Sequence, residues 1–189
     1  GASEAVQNAS PVSIYRSVGP SDTSDLNSGA ATVTISGTTA TFSAGVPDGI
    51  GVGDVLQYVD SSIYHVAFIS ARASPTEFTV QNTAGGTPFP ASAGTAVSVF
   101  RAYTSLASAE TGTENTALYD TVENFDTWGG AGGKNLTLSN EVWNIAAYAN
   151  GTTADSHVTV SGWTTDSDNY LKIYTPTSTS EVGTSQRHS

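Results

Sequence analysis

Three histidines open the search for chemistry in this chain: His65, His157 and His188. His65 lies in the apolar run 64–70, His188 lies near the C-terminal end, and His157 follows Asp155 by two residues. No H-E-x-x-H occurs and no two histidines stand at ligand spacing, so a zinc site is not indicated. His157 beside Asp155 reads as a turn hydrogen bond. Serines are numerous, but no G-x-S-x-G elbow is present, and a Ser-His-Asp triad is recognised by geometry rather than by counting. Residues 129–134 imitate a phosphate loop. Trp128 stands where that motif needs glycine, and Asn135 where it needs Ser or Thr. The acidic loops are stronger candidates. Asp22, Asp25 and Asn27 share one, and Asp166, Asp168 and Asn169 share another. Calcium takes several carboxylate and carbonyl oxygens from a loop, so these six residues are the expected calcium ligands if a metal is used. The same residues also serve as simple turn formers. Trp128, Trp143 and Trp163 offer faces for stacking sugars, although most aromatics are expected in the core. Paired carboxylates would suit glycoside hydrolysis. A uronate lyase would have only Arg16, Arg72, Arg101, Arg187, Lys134 and Lys172 with which to neutralise its substrate. No catalytic signature emerges, and the chain is expected not to be an enzyme.

The elements that must position such residues are set by composition. The chain has 189 residues, six of them basic and seventeen acidic, for a formal charge of −11. Nucleic-acid binding needs a basic footprint, and anionic lipid repels such a chain. No apolar run approaches the roughly 18 residues of a membrane span. Cysteine and methionine are both absent, which removes disulfides, thiolate chemistry and the easily oxidised side chains. Only 12% of residues are charged, about half the usual share of roughly 25%. A weakly charged surface rich in Ser, Thr and Gly suits a secreted or cell-surface β protein. Gly1-Ala2-Ser3 fits a mature terminus after signal cleavage, or an expression scar.

Hydrophobic periodicity divides the chain into three segments. Residues 1–103 read as a small barrel or sandwich. Val12–Val18 is a β-type run, and residues 32–42 alternate strictly about a Gly37 turn, as a hairpin does. Further strands are expected over 52–58, 64–70, 77–81 and 97–103, with a loop over 83–96. Residues 104–133 read as one helix and a glycine-rich connector. Leu118, Val122 and Phe125 form its stripe, and Thr113 or Asn115 its cap. Residues 134–189 return to β structure over 140–148, 157–163 and 170–175, joined by Asn-Gly and Asp-rich turns. The segment after 176 is polar, with Val182 its only large aliphatic, and is expected to fray. All three segments are also compatible with one domain. The fold class is therefore mainly β, with a small barrel or sandwich in the N-terminal half, one short central helix, and sandwich or β-helix-like strands in the C-terminal half.

Several stretches resemble blocks of large secreted bacterial proteins predicted to carry right-handed parallel β-helices. They are Tyr15-Arg16-Ser17-Val18-Gly19, residues 32–42, Gly51-Val52-Gly53-Asp54-Val55, Ala67-Phe68-Ile69, residues 124–128 and 160–165, Ile173-Tyr174-Thr175-Pro176, and residues 179–188. The resemblance covers most of the chain from residue 15. It implies β-helix-like strands in the C-terminal segment and a surface location, and it carries no reaction. A few stacked coils bury too little alone and need neighbours. The expected function is an extracellular structural protein, a self-assembling subunit of a surface filament, sheath or layer. Its partners would be copies of itself. The N-terminal strand, with Val12, Ile14, Tyr15 and Val18, would complete a neighbour's sheet. The alternative is a carbohydrate-binding or adhesin domain of a larger surface protein, with cell-surface glycans as partners.

Overall fold

The computed structural model describes residues 9–128 and 133–184. Its first strand, β1 (Val12–Val18), leads through the loop 19–31 into six strands that close a barrel. These are β2 (Thr32–Ser36), β3 (Thr39–Phe42), β4 (Val55–Asp60), β5 (Ile63–Arg72), β6 (Glu77–Gln81) and β7 (Ala91–Phe100). Every neighbouring pair is antiparallel, in the order β2-β3-β6-β5-β4-β7 and back to β2. The expected alternation holds in β2 and β3: Val33, Ile35, Ala40 and Phe42 all point into the barrel. The β4–β5 pair is apolar on both faces. Leu56 and Tyr58 fill the barrel, while Val55 and its cross-strand partner Phe68 face outward onto Val18 and Ile145. Burying a side chain as large as Phe68 contributes about 1.5–3 kcal/mol.

One end of the barrel is closed by the segment expected to fray. Val182 bridges Gly51, Val52 N–H donates to Glu181 C=O, and Arg72 N–H donates to Ser180 C=O. The single aliphatic of a polar stretch thus becomes a plug, 1% exposed among the barrel residues.

Beyond the barrel the chain forms α1 (Leu106–Thr111), α2 (Leu136–Ser139), β8 (Glu141–Ala147) and β9 (Leu171–Tyr174). The expected helix is therefore much shorter and lies earlier. Ser105 caps it by accepting Ser108 N–H, and Gly112, at φ 66°, ends it. The stripe residues sit on turns instead. Asn115 is buried and donates to Asp22 C=O and Arg101 C=O, which fixes that turn, while Leu118 is buried and Phe125 packs edge-on against Phe68. A second helix, α2, was not expected; Asn135 caps it by accepting Leu138 N–H.

The C-terminal strands are parallel, not hairpins. β1, β8 and β9 form a three-stranded sheet in that order, so β1 joins strands from the far end of the chain. Stretch 157–163 forms no ladder. Its polar groups turn to Glu110, whose carboxylate accepts Ser161 N–H and Trp163 Nε1–H. The chain returns onto itself after roughly 28 residues, at Trp143 over Leu171 and again at the parallel bridge of Asn135 with Thr164.

Candidate functional site

The sheet has two outer edges, and the structure treats them differently. A free strand edge is a row of unpaired N–H and C=O groups that templates further pairing. On β1 that row is sealed by the barrel. The Gln81 amide imitates a peptide unit: its oxygen accepts Tyr15 N–H at 3.1 Å and its nitrogen donates to Ser13 C=O at 3.0 Å. Further along, Ser17 N–H donates to Gly53 C=O, and Tyr103 N–H donates to Ser17 C=O, both at 3.0 Å. Gly53 permits the approach. Its φ is +86°, and a Cβ there would overlap the Arg16 backbone. Gly53→Ala is expected to lower stability by about 3 kcal/mol, because backbone meets backbone and neither can yield. Urea unfolding would measure this, and a loss under about 1 kcal/mol would refute the tight seal.

Arg16 fastens the same seam. It shares a strand face with Ile14 and Val18, and it is fully buried. Its guanidinium makes a bidentate pair with Asp126, at 2.5 and 2.7 Å, and donates to Tyr15 C=O and Thr83 C=O. It lies over the Phe68 ring at 3.8 Å, and Tyr103 donates its hydroxyl to the same Asp126 carboxylate. Burial would lower the Arg16 pKa, but Asp126 outweighs it and the group stays above its ordinary value. A second buried pair, Arg101 with Asp54, stands on the Tyr148 ring. There burial pushes the Asp54 carboxyl up against the pull of Arg101. Arg72 donates to Pro47 C=O and Ile50 C=O. The described arginines are thus bound within the molecule, and Arg187 lies outside the described residues.

The β9 edge is open. Trp143 N–H donates to Tyr170 C=O at 2.9 Å, which sets the phase of the ladder. In parallel pairing, alternate residues turn their peptide groups toward the same neighbour. Leu171 and Ile173 therefore aim theirs away from β8, and no described residue meets them. Exposure follows the same gradient across the stacked columns. Arg16 and Ile145 are buried, but Ile173, next in their column, is 41% exposed. Tyr170 and Val160 on the same returning stretch are about as exposed. Lys172 does not shield the edge, since its ammonium rests over the Tyr174 ring at 4.1 Å.

No family model, curated protein or solved structure matches the chain. The reading of function therefore rests on this geometry.

The candidates singled out in sequence are placed as follows. Of the assembly strand, Ile14 and Val18 are buried, Tyr15 is half-buried and Val12 is exposed, all within a strand held on both edges by its own chain. In the expected calcium loops three carboxylates each turn one oxygen to backbone N–H groups, and both asparagines act as donors. Asp22 accepts Ser24 N–H, Asp25 accepts Asn27 N–H and Val99 N–H, and Asn27 donates to Ala31 C=O and Val97 C=O. Asp166 accepts the N–H groups of Asp168 and Asn169, while the Asn169 amide donates to Asn140 Oδ1 and Glu141 C=O. Among the described residues no three acidic or histidine side chains converge as metal ligands. The phosphate-loop residues 129–132 and His188 lie outside the described residues. His157 is exposed, and Asp155 accepts Leu106 N–H instead.

Sequence reasoning left the three tryptophans apart, and the structure gathers them. Trp128, Trp143 and Trp163 meet with ring centroids 5.1 to 5.8 Å apart, and Leu136 and Ile14 complete the cluster. Their indole N–H groups donate to Glu110 and Glu141. Beside Trp128 lies an open cavity of about 190 Å³ bordered by Asp126, Lys134 and Glu141. Both carboxylates there are engaged, Asp126 by Arg16 and Glu141 by Lys134 and Trp143. No helix among the described residues is long and apolar enough to cross a membrane.

Proposed function

We propose that the chain is a non-enzymatic extracellular structural protein that assembles with copies of itself by strand pairing at β9. The observation that carries this reading is the asymmetry of the sheet, sealed by the barrel at β1 and open at β9. The barrel acts as an end-piece for a β-helix-like stack whose returning coil of roughly 28 residues presents the pairing face. β1 is the less suitable donor, because leaving its slot would strip Arg16 from Asp126. Each copy offers one open strand edge among the described residues. Two copies therefore pair β9 with β9 about a two-fold axis, the self-complementary contact of most homodimers. That pair closes as a dimer; a surface layer or filament would join such dimers through further contacts outside β9, and the weakly charged Ser/Thr/Gly surface suits such a setting.

Ile173→Pro tests the proposal. Its outward N–H plays no part in the β8 ladder, and proline is tolerated on strand edges. Sedimentation equilibrium and negative-stain electron microscopy should show dimers or larger regular assemblies for the native chain. The variant should be monomeric, with a melting temperature within about 4 °C of the native value. Unchanged assembly in the variant, or a native chain that stays monomeric at high concentration, would overturn the reading.

A further inference from the structure

The barrel carries a second exposed feature at the tip of the β4–β5 hairpin. The turn Asp60-Ser61-Ser62-Ile63 places Ser61 and Ser62 at φ 49° and 70°, the left-handed pair that a two-residue hairpin requires. Next to it Tyr64 stacks on Tyr119, with ring centroids 3.9 Å apart and planes 13° from parallel. Tyr119 is 48% exposed and Ile63 is 61% exposed. Neither tyrosine belongs to an apolar core cluster, so packing does not account for the pair. Tyr119 is held in place by its backbone: its N–H donates to the Gln57 amide oxygen at 2.7 Å. The Gln57 amide nitrogen is left without a partner among the described residues.

Tyr64 divides two cavities. One, about 290 Å³, is walled in part by Gln57, Tyr58, Thr32 and Ser98; the other, about 300 Å³, by Ser62, Ile63, Tyr119 and Thr121. No charged side chain lines either cavity, in a chain of formal charge −11. Behind the first, the buried Asn27 amide donates to Ala31 and Val97 of the wall, and its oxygen has no partner. The two cavity linings thus combine a stacked aromatic pair, the free Gln57 amide nitrogen and hydroxyls, with no charged side chain among them, the nearby Asp60 and Asp120 lying outside both linings.

We propose that the Tyr64–Tyr119 cleft is a binding site for a neutral carbohydrate. A sugar ring sets its C–H face on an aromatic ring and its hydroxyls on amides and side-chain hydroxyls, the mixture of apolar wall and few polar groups that ligand sites use. A phosphorylated, sulfated or uronate sugar would find no cation here and would meet the negative field of the whole chain. The existing stack removes part of the ordering cost of binding. The site is independent of the β9 edge, so a surface assembly would display it in many copies and gain avidity from weak sites.

The test uses cellohexaose, mannohexaose and maltohexaose as neutral probes and a hexagalacturonate as the acidic control, read by saturation-transfer NMR and titration calorimetry on the full chain. At least one neutral probe should bind, with a dissociation constant between about 10 μM and 5 mM. Tyr119→Ala should weaken it at least about tenfold, while Tyr119→Phe, which keeps the ring, should stay within about threefold. Ile173→Pro should bind as the native chain does, which separates this site from assembly. Absence of binding by every neutral probe, equal binding of the acidic hexamer, or binding unmoved by Tyr119→Ala in a folded variant would each overturn the proposal.

Discussion

Arg16→Met is expected to lower folding stability by about 3–5 kcal/mol, measured as a shift of the urea midpoint at constant slope. Methionine fills much of the same volume, so the loss is electrostatic rather than a cavity. Asp126 is 5% exposed and would keep its carboxylate in the seam with only the Tyr103 hydroxyl as side-chain partner. The carbonyls of Tyr15 and Thr83 would lose their donors as well. Arg16→Lys should recover little, because an ammonium cannot supply the two-pronged contact to Asp126 or the flat contact to Phe68. The double variant Arg16→Met with Asp126→Leu should regain most of the loss, since removing both charges also removes their desolvation. It will not regain all of it, because the buried Tyr103 hydroxyl is then orphaned at about 1–3 kcal/mol. A single variant that costs under about 1 kcal/mol would show that the pair is not buried as described.

The same seam decides how the molecule unfolds. β1 pairs with β8 on one edge and hydrogen-bonds Gln81, Gly53 and Tyr103 on the other. Phe68 and Val55 of the barrel share a core with Val18 and Ile145 of the sheet. The two sheets are thus one cooperative unit, and removing residues 1–18 would expose that core rather than leave a folded monomer.

Much of the barrel was legible in sequence because alternation reports a half-buried strand. The hairpin of β2 and β3 follows it residue by residue. The start of β7 does not: Ala91 to Ala96 are small or polar residues that read as loop, and their strand comes from pairing with β2. The parallel sheet was hidden for another reason. β1 and β8 are separated by the whole barrel, and no local pattern encodes a partner at that range. One signal was present and unused. In Val12–Val18, Arg16 shares a face with Ile14 and Val18, so a buried face carried a cation, which requires a buried anion. The acidic loops are ambiguous in sequence for a different reason. Their spacing suits calcium, but Asx turns use the same residues, and here the carboxylate oxygens accept backbone N–H groups. The tryptophans show how much register decides. Trp143 reaches its neighbours only because β8 lies in parallel register with β9 and because Glu110 draws Trp163 inward.

Stability is also expected to collapse between pH 10 and 12, and the buried tyrosines set that limit. Tyr58 is 1% exposed and donates to Phe89 C=O; burial pushes its hydroxyl up to about 12. Tyr103 and Tyr148 are pushed well above their usual range, chiefly by burial and then by the carboxylates of Asp126 and Asp54. Each hydroxyl therefore holds its proton in the folded state at a pH where the unfolded chain has released it. Stability from these groups is complete below about pH 10 and is lost as pH rises toward the folded values. The slope is about 1.4 kcal/mol per pH unit for each tyrosine, so three acting together remove about 4 kcal/mol per unit and exhaust a reserve at the low end of the typical range of about 5–15 kcal/mol within two units. The protein should unfold before these groups ionise in place. The share of tyrosinate absorbance that belongs to these buried hydroxyls should then appear in the same step as loss of the circular dichroism of the strands. Tyr148→Phe keeps the ring beneath Arg101 and forgoes the bond to Val52 C=O, about 1 kcal/mol at neutral pH. In exchange it removes one ionisable group, so its alkaline midpoint should shift upward relative to its neutral stability. Full tyrosinate absorbance with native circular dichroism would mean that water reaches these hydroxyls in the folded barrel, and the packing assigned to them would be wrong.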